Sequence, residues 1–419
     1  MSPLEITVPV MEWMLEAPLI VLLVGATLGV LLEAVVPREY RYPAQTGLAM
    51  LTVLAAMGFT AYNWVGGDFK IVAPGSIAVD GPTYFFWSLL LLVGLGGVAL
   101  FAERAVAGGV SAFAASAATV PGSPMEREAE RQHREHTEIF PLILFALFGM
   151  LLFVAANDLL TLFVALEIFS LPLYLLSGMA RRRRWLSQEA ALKYFLLGAF
   201  SSAFFLFGVA LLYGYAGAFS YAGVAQAIVA DESPQVLLLA GLVMLAIGLL
   251  FKVGAVPFHT WTPDVYTGAP TPVTGFMAIA TKTAAVAALL RVFYVALGGA
   301  RWDWQPIIAT VAVATMVVGA VVGLVQQDIK RLLAYSSIAH AGFILAGFVA
   351  AVGATAEGGV SSVGSISFYL LAYGFATLGG FGIITMVRRA GGEANGIAAW
   401  RGLGRTSPFV AGVMTLFLL

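Results

Sequence analysis

The chain has 419 residues, of which 60% are hydrophobic and 11% are charged, and its mean hydropathy is +0.92. This composition excludes an ordinary soluble domain, because apolar runs of about 20 residues, each long enough to cross a bilayer, recur along almost the whole length. The net charge of −1 gives no indication of nucleic-acid binding, and the absence of cysteine excludes disulfides and thiolate-held metal or iron–sulfur centres. The sequence predicts an all-α polytopic membrane protein.

Eleven segments of spanning length follow one another, and a twelfth begins near residue 407. They lie at about 18–36, 43–65, 82–102, 138–156, 158–178, 188–214, 236–266, 272–297, 306–326, 332–351 and 365–387. The seventh is broken near Pro257, since proline removes a helical hydrogen bond. Residues from about 103 to 137 are rich in small and then charged residues, and we interpret them as a surface insertion. Because the chain stops inside an apolar run at Leu419, we expect further helices after it.

The basic residues predict the orientation, since cytoplasmic loops of membrane proteins carry an excess of Lys and Arg. With the first loop placed in the cytoplasm, 16 of the 22 Lys and Arg residues fall on that side. The N-terminus is then external. Three of the others are external, and the remaining three lie within spanning segments: Lys193, Lys252 and Lys282.

Two of these lysines lie deep in apolar runs. Lys252 precedes Pro257 by about one turn, and Lys282 follows 30 residues later. A charge at the bilayer centre costs about 2.5–3.5 kcal/mol on insertion scales, so such residues are functional candidates. Burial favours a neutral amine and a nearby carboxylate favours a charged one, so a lysine placed in this way can gain and lose a proton. The alternative is a purely structural ion pair.

Four further ionisable side chains complete a candidate proton relay. Glu167 lies near mid-membrane and is the obvious partner for one lysine, although a protonated carboxyl bonded to a neighbouring helix is the alternative. Lys193 lies near the start of its helix and could instead extend to the cytoplasmic interface. His259 follows the break and can relay protons or cap freed carbonyls. His340 lies mid-helix after two serines, which indicates a hydrated lining or a structural role.

A weak internal similarity indicates a repeat. Residues 158–178 resemble residues 328–347, because each stretch has an acid at its start, an ionisable group in its middle and a Leu- and Gly-containing end. An odd number of helices separates the two stretches, so two such units would be inverted in the membrane. Inverted repeats with broken helices are typical of transporters.

Residues 251–277, FKVGAVPFHTWTPDVYTGAPTPVTGFM, resemble the signature of the antiporter-like subunits of respiratory complex I, in particular the subunit N group. Residues 157–174, 192–208 and 327–342 are also similar to that family. The resemblance implies fourteen helices, arranged as two inverted five-helix repeats with flanking helices and a discontinuous helix 7. It divides this chain into residues 1–137 with three helices and the insertion, 138–297 as the first repeat, and 298–419 as an incomplete second repeat.

The resemblance also implies a function. The chain would be a membrane-arm subunit of a proton-translocating NADH:quinone oxidoreductase. Its proton relay would run through Glu167, Lys193, Lys252, His259 and Lys282. We add His340 as a sixth relay residue because of its position in the middle of a helix. The family's lysine of helix 12 would lie beyond Leu419.

Because the sequence has no nucleotide-binding loop and no cysteine, we expect no cofactor or metal in this chain. The resemblance implies that other subunits carry FMN and iron–sulfur clusters and bind quinone. Its expected partners are a neighbouring antiporter-like subunit, small membrane subunits and the lipid bilayer, without nucleic acid, in the inner or plasma membrane of a bacterium. Three alternatives stay open: an Mrp-type cation/proton antiporter subunit, an antiporter-like subunit of a membrane-bound hydrogenase, and a scaffold that only spaces other subunits.

Overall fold

The computed structural model describes residues 11–104, 111–114, 123–125, 128, 136–231, 233–350, 362–389 and 392–418. Most of the predicted surface insertion at about 103–137 lies outside these residues. Within them, ten helices are long and apolar enough to cross a membrane by length and composition. The predicted all-α, multi-pass membrane architecture is confirmed.

The described part of the chain contains fifteen α-helices. They are α1 (Trp13–Val35), α2 (Arg38–Gly66), α3 (Gly81–Phe101), α4 (Ile139–Ala155), α5 (Leu159–Ser177), α6 (Arg184–Ala216), α7 (Tyr221–Ala230), α8 (Gln235–Val253), α9 (Trp261–Gly268), α10 (Thr271–Arg291), α11 (Arg301–Gly323), α12 (Ile329–Val349), α13 (Ser362–Met386), α14 (Leu403–Thr406) and α15 (Pro408–Leu418). The short α4, of 17 residues, coincides with the segment predicted at 138–156. The segment predicted at 236–266 is interrupted between α8 and α9, as its proline indicates.

Two short antiparallel hairpins, which the sequence did not predict, lie between the helices. Strand β1 (Lys70–Val72) pairs with β2 (Ile77–Val79), and β3 (Arg388–Arg389) pairs with β4 (Gly392–Glu393). Strands of two or three residues give no periodic pattern in a sequence. By the predicted orientation, the first hairpin is external and the second is cytoplasmic.

Helix α10 forms the centre of the bundle. Every residue from Thr271 to Leu290 is buried, and the helix packs against α3, α4, α8 and α13. At its C-terminal end, the Arg291 guanidinium donates to the Asp80 carboxylate at 2.8 Å and to the Thr83 hydroxyl at 2.7 Å. Burial acts to raise the pKa of Asp80, but Arg291 and Thr83 hold it below its usual value. These contacts fix the central helix to the start of α3.

Small residues allow the closest helix contacts. Helices α11 and α12 are antiparallel neighbours, and a Cβ added at Gly319 would lie 2.5 Å from the backbone nitrogen of Ala339. Because this obstacle is main chain, it cannot rotate away. Small residues at membrane helix interfaces permit this kind of backbone approach. The α11–α12 contact therefore depends on glycine at position 319.

We expect Gly319→Ala to destabilise the protein by about 1–3 kcal/mol, because overpacking forces the two backbones apart. The measurement is the free energy of unfolding of the purified chain in mixed micelles. The matched control is Gly58→Ala in α2, where nothing lies within 4 Å of the added Cβ. At position 58 alanine should not lower the free energy of unfolding, because alanine loses less backbone entropy on folding than glycine does. Equal effects of the two substitutions would contradict the packing described for α11 and α12.

Candidate functional site

The break between α8 and α9 is built by local sequence. Helix α8 ends at Gly254, whose φ of 80° lies in the left-handed region that glycine adopts without strain. The Trp261 indole donates to the Phe251 carbonyl at 2.9 Å, and the Val256 amide donates to the Thr315 hydroxyl of α11 at 3.0 Å. Backbone groups released by the break thus find partners inside the protein, as irregular backbone at membrane depth requires.

Lys252 lies in the last turn of α8 and is 1% exposed. Its Nζ donates to the Ser170 hydroxyl at 2.7 Å and lies 3.5 Å from the Tyr174 hydroxyl, both on α5. Four aromatic rings have their centroids 5.3 to 5.8 Å from this nitrogen, those of Phe169, Tyr174, Tyr194 and Phe251. Hydroxyls and the faces of aromatic rings therefore form the surroundings of a fully buried amine.

Glu167 lies on the same face of α5 as the two hydroxyls that meet Lys252. Ser170 follows it by three residues and Tyr174 by seven, which is helical spacing. Its Oε1 is buried and has no hydrogen-bond partner. Within the described ranges, no lysine nitrogen comes within 4 Å of its carboxylate, so the structure does not contain the direct ion pair that the sequence indicated. The carboxyl is near Lys252 but not bonded to it.

Lys282 lies in the middle of α10 and is 3% exposed. Its Nζ donates to both the carbonyl and the hydroxyl of Ser337 on α12, the latter at 2.5 Å. The Tyr373 ring of α13 has its centroid 5.4 Å away. No carboxylate pairs with Lys282 in the part of the chain that the structure describes.

His340 continues this polar line along α12. It lies three residues after Ser337, and its Nδ1 is 2.5 Å from the Tyr369 hydroxyl. Its ring stacks on Tyr373 with centroids 4.4 Å apart. His340 also lines a cavity of about 360 Å³ between α12, α13 and α15, together with Ser336 and Thr377. The two serines that precede His340 in the sequence thus lie beside the polar groups, as the expected hydrated lining requires.

Lys193 and His259 occupy separate positions. The Lys193 side chain is 42% exposed, and its Nζ is 2.7 Å from both Glu189 and Asp264. Asp264 also accepts from Arg331 at 2.8 Å. Lys193 thus belongs to an ion-pair network near the predicted cytoplasmic end, in keeping with the alternative of an interfacial lysine. His259 lies in the break, and its Nδ1 has no hydrogen-bond partner.

The structure therefore brings predicted residues together in two groups, half-buried Glu167 with buried Lys252 and buried Lys282 with half-buried His340. Sequence reasoning missed the uncharged side chains around the two amines, which are Ser170, Tyr174, Ser337 and Tyr373, and it also missed Tyr369, whose hydroxyl contacts His340. The helical spacing of Ser170 and Tyr174 from Glu167 is a signal that could have identified the first two. Among the described residues, no group of three or more His, Asp or Glu side chains could hold a metal ion.

The chain resembles known proteins over nearly its full length. A family model described as NADH:quinone oxidoreductase/Mrp antiporter, TM, matches residues 156–419. NADH-quinone oxidoreductase subunit N of Nocardioides sp. is 55% identical, covering 98% of this chain and 79% of that protein. Subunit N of Cutibacterium acnes is also 55% identical, covering 99% of this chain and 78% of that protein.

Two solved structures share the fold. A chain of respiratory complex I from Thermus thermophilus with bound aureothin is 34% identical, with a TM-score of 0.72, covering 96% of this chain and 78% of that one. A chain of the Mrp complex from Dietzia sp. is 22% identical with a TM-score of 0.77, covering 97% of this chain and 70% of that one, and shows the fold alone. The fold and its buried amines define an antiporter-like transmembrane subunit. The chain belongs to the NADH:quinone oxidoreductase/Mrp antiporter family.

We expect Ser170→Ala to lower the free energy of unfolding by about 1–3 kcal/mol, because the buried Lys252 amine loses its nearest acceptor. The measurement is unfolding in mixed micelles. Ser177→Ala is the matched control, since Ser177 is buried on the same helix and its hydroxyl donates only to the Leu173 carbonyl, at 2.7 Å. If Ser177→Ala destabilises as much as Ser170→Ala, the hydroxyl does not hold the amine.

Proposed function

We propose that this chain is a membrane-arm subunit of a proton-translocating NADH:quinone oxidoreductase. Its similarity to proteins named NADH-quinone oxidoreductase subunit N supports this proposal. Protons would cross the membrane through a relay formed by Glu167, Lys193, Lys252, His259, Lys282 and His340. The observation that carries the proposal is the pair of buried lysines, each of which donates to a serine hydroxyl and has no bonded carboxylate among the residues that the structure describes.

A buried lysine of this kind can change its protonation state when a nearby carboxylate moves. A buried ammonium without a counter-ion is costly, whereas a neutral amine bonded to a hydroxyl is not. Glu167 lies on the face of α5 that meets Lys252. Its Oε1 has no hydrogen-bond partner among the described residues. A small displacement of its carboxylate toward the amine would favour uptake of a proton, and withdrawal would favour its release.

Lys282 would pass the proton on toward the other side of the bundle. Its amine contacts Ser337, and His340 lies three residues further along α12 beside the cavity of about 360 Å³. Ser and Tyr hydroxyls both donate and accept hydrogen bonds, so they can transmit a proton between basic groups. We propose that water bridges Lys252 and Lys282, and that His259 and Lys193 connect the relay to the break and to the cytoplasmic side.

The energy for this movement would come from quinone reduction in other subunits, which carry FMN and iron–sulfur clusters. We propose that the chain contacts a neighbouring antiporter-like subunit and small membrane subunits in the inner membrane of a bacterium. The distribution of Lys and Arg supports an external N-terminus. The inverted repeats of residues 138–297 and 298–419 would provide the two half-channels.

A second candidate is a subunit of an Mrp-type cation/proton antiporter, in which an ion gradient replaces redox energy. The fold it shares with the Mrp complex supports this alternative. The sequence identity of 55% with subunit N, over nearly all of this chain, favours the redox complex. Purification of the chain from its native membrane separates the two, because only the first predicts co-purifying subunits that contain iron–sulfur clusters.

We expect Lys252→Met to reduce proton pumping per NADH oxidised by about tenfold or more, because a proton-transfer group is lost, a loss that typically costs 10² or more in rate. The measurement is pumping by the reconstituted complex, together with its assembly and thermal stability. Lys282→Met should act in the same way. The protein should remain as stable as the wild type or gain stability, since apolar groups of similar volume often replace buried charges without loss.

The control is Lys70→Met, because Lys70 is exposed and its Nζ pairs with Glu12 at 3.1 Å, away from the buried lysines. It should pump like the wild type. Full assembly and normal pumping by Lys252→Met would refute the relay and favour the scaffold alternative.

A further inference from the structure

A second polar region lies apart from the buried lysines, at the end of the bundle that the sequence places in the cytoplasm. A cavity of about 580 Å³ opens there between the α9–α10 turn, the residues before α6, the start of α12 and the β3–β4 hairpin. None of the six residues of the candidate relay lines it. The cavity therefore requires its own explanation.

The lining of this cavity is strongly basic. Among the described residues, one carboxylate lines it, that of Glu393, and this carboxylate already accepts a hydrogen bond from the Thr271 hydroxyl at 2.6 Å. Asp328 lies 3.7 Å from Arg183 and partly offsets that charge. The basic side chains of the lining are Arg181, Arg182, Arg183, Lys330, Arg388 and Arg389. The excess of positive charge over negative charge marks the cavity as a place for an anion.

The innermost cation is fixed by neutral groups. Lys330 is 3% exposed, and its Nζ donates to the Ala269 carbonyl at 2.7 Å and to the Thr271 hydroxyl at 3.3 Å. In the described ranges, no carboxylate lies within 4 Å of its nitrogen. A buried amine held in this way adds positive potential to the cavity, which Glu393 offsets in part because it shares the Thr271 hydroxyl with Lys330.

The start of α10 adds hydrogen-bond donors. Pro270 occupies the N-cap position and Pro272 has no amide hydrogen, so the donors at the start of this 21-residue helix are the amides of Thr271 and Val273, and within the described residues no side chain caps them. Ala269, Pro270 and Thr271 all line the cavity. An uncapped helix N-terminus attracts anions through its amides and its dipole, and phosphate groups are its common ligands.

We propose that this cavity binds a phosphate-bearing anion, from either an anionic lipid headgroup or a soluble phosphate. Arginine forms paired, charge-assisted hydrogen bonds to phosphate oxygens, and several arginines here surround one cavity. Basic pockets at the cytoplasmic side of membrane helices are suited to lipid headgroups. A bound phosphate would join the α9–α10 turn, the start of α6 and the β3–β4 hairpin, which belong to both halves of the chain.

The test compares two double variants of the full chain in a neutral detergent. Arg182→Gln with Arg389→Gln removes two exposed charges that line the cavity. Arg38→Gln with Arg405→Gln removes two exposed charges outside it, on the same predicted side. The probes are a short-chain phosphatidylglycerol, with phosphatidylcholine of equal chain length for comparison, and inorganic phosphate. Titration calorimetry and native mass spectrometry measure binding.

We expect the cavity variant to bind its probe about tenfold or more weakly than the wild type, and the control variant to change affinity by about twofold or less. Arg182→Lys with Arg389→Lys keeps the charge and should retain part of the affinity. Phosphatidylglycerol bound in preference to phosphatidylcholine identifies a lipid site, and binding of inorganic phosphate alone identifies a soluble ligand. The proposal would be overturned if neither phosphatidylglycerol nor inorganic phosphate binds, or if the cavity variant and the control variant lose affinity equally.

Discussion

An amine can remain inside an apolar bundle only if neighbouring helices supply polar groups to meet it, and this requirement organises the centre of the structure. Lys252 of α8 reaches a serine and a tyrosine of α5, and Lys282 of α10 reaches a serine of α12. Each contact joins helices that are far apart in sequence. Neither lysine has a bonded carboxylate in the described parts of the chain, so their surroundings suit a neutral amine as well as a charged one.

The break in the seventh predicted segment has a related physical basis. A continuous helix would have no free backbone groups, whereas the break after Gly254 releases them and requires partners from α9 and α11. Irregular backbone of this kind persists only inside protein or beside water. The break, the buried amines and the cavity beside His340 thus provide the polar environment that our proposed proton path requires within an otherwise apolar bundle.

Several of these features could be predicted from the sequence because they depend on local pattern. Apolar runs located the helices, Pro257 located the break, and the cost of a buried charge singled out Lys252 and Lys282. Partners that depend on how helices face each other could not be predicted, such as Ser170 and Ser337. For the same reason the ion pair expected for Glu167 is absent within the described residues, and Lys193 lies in a partly exposed network with Asp264.

The most direct test of the account is an experimental map of the assembled complex at a resolution that shows ordered water. The account predicts a chain of waters between the Nζ atoms of Lys252 and Lys282, continuing past Ser337 to the cavity beside His340. A dry, tightly packed region between the two amines, present in every state of the complex that turnover populates, would contradict the claim that these lysines handle mobile protons.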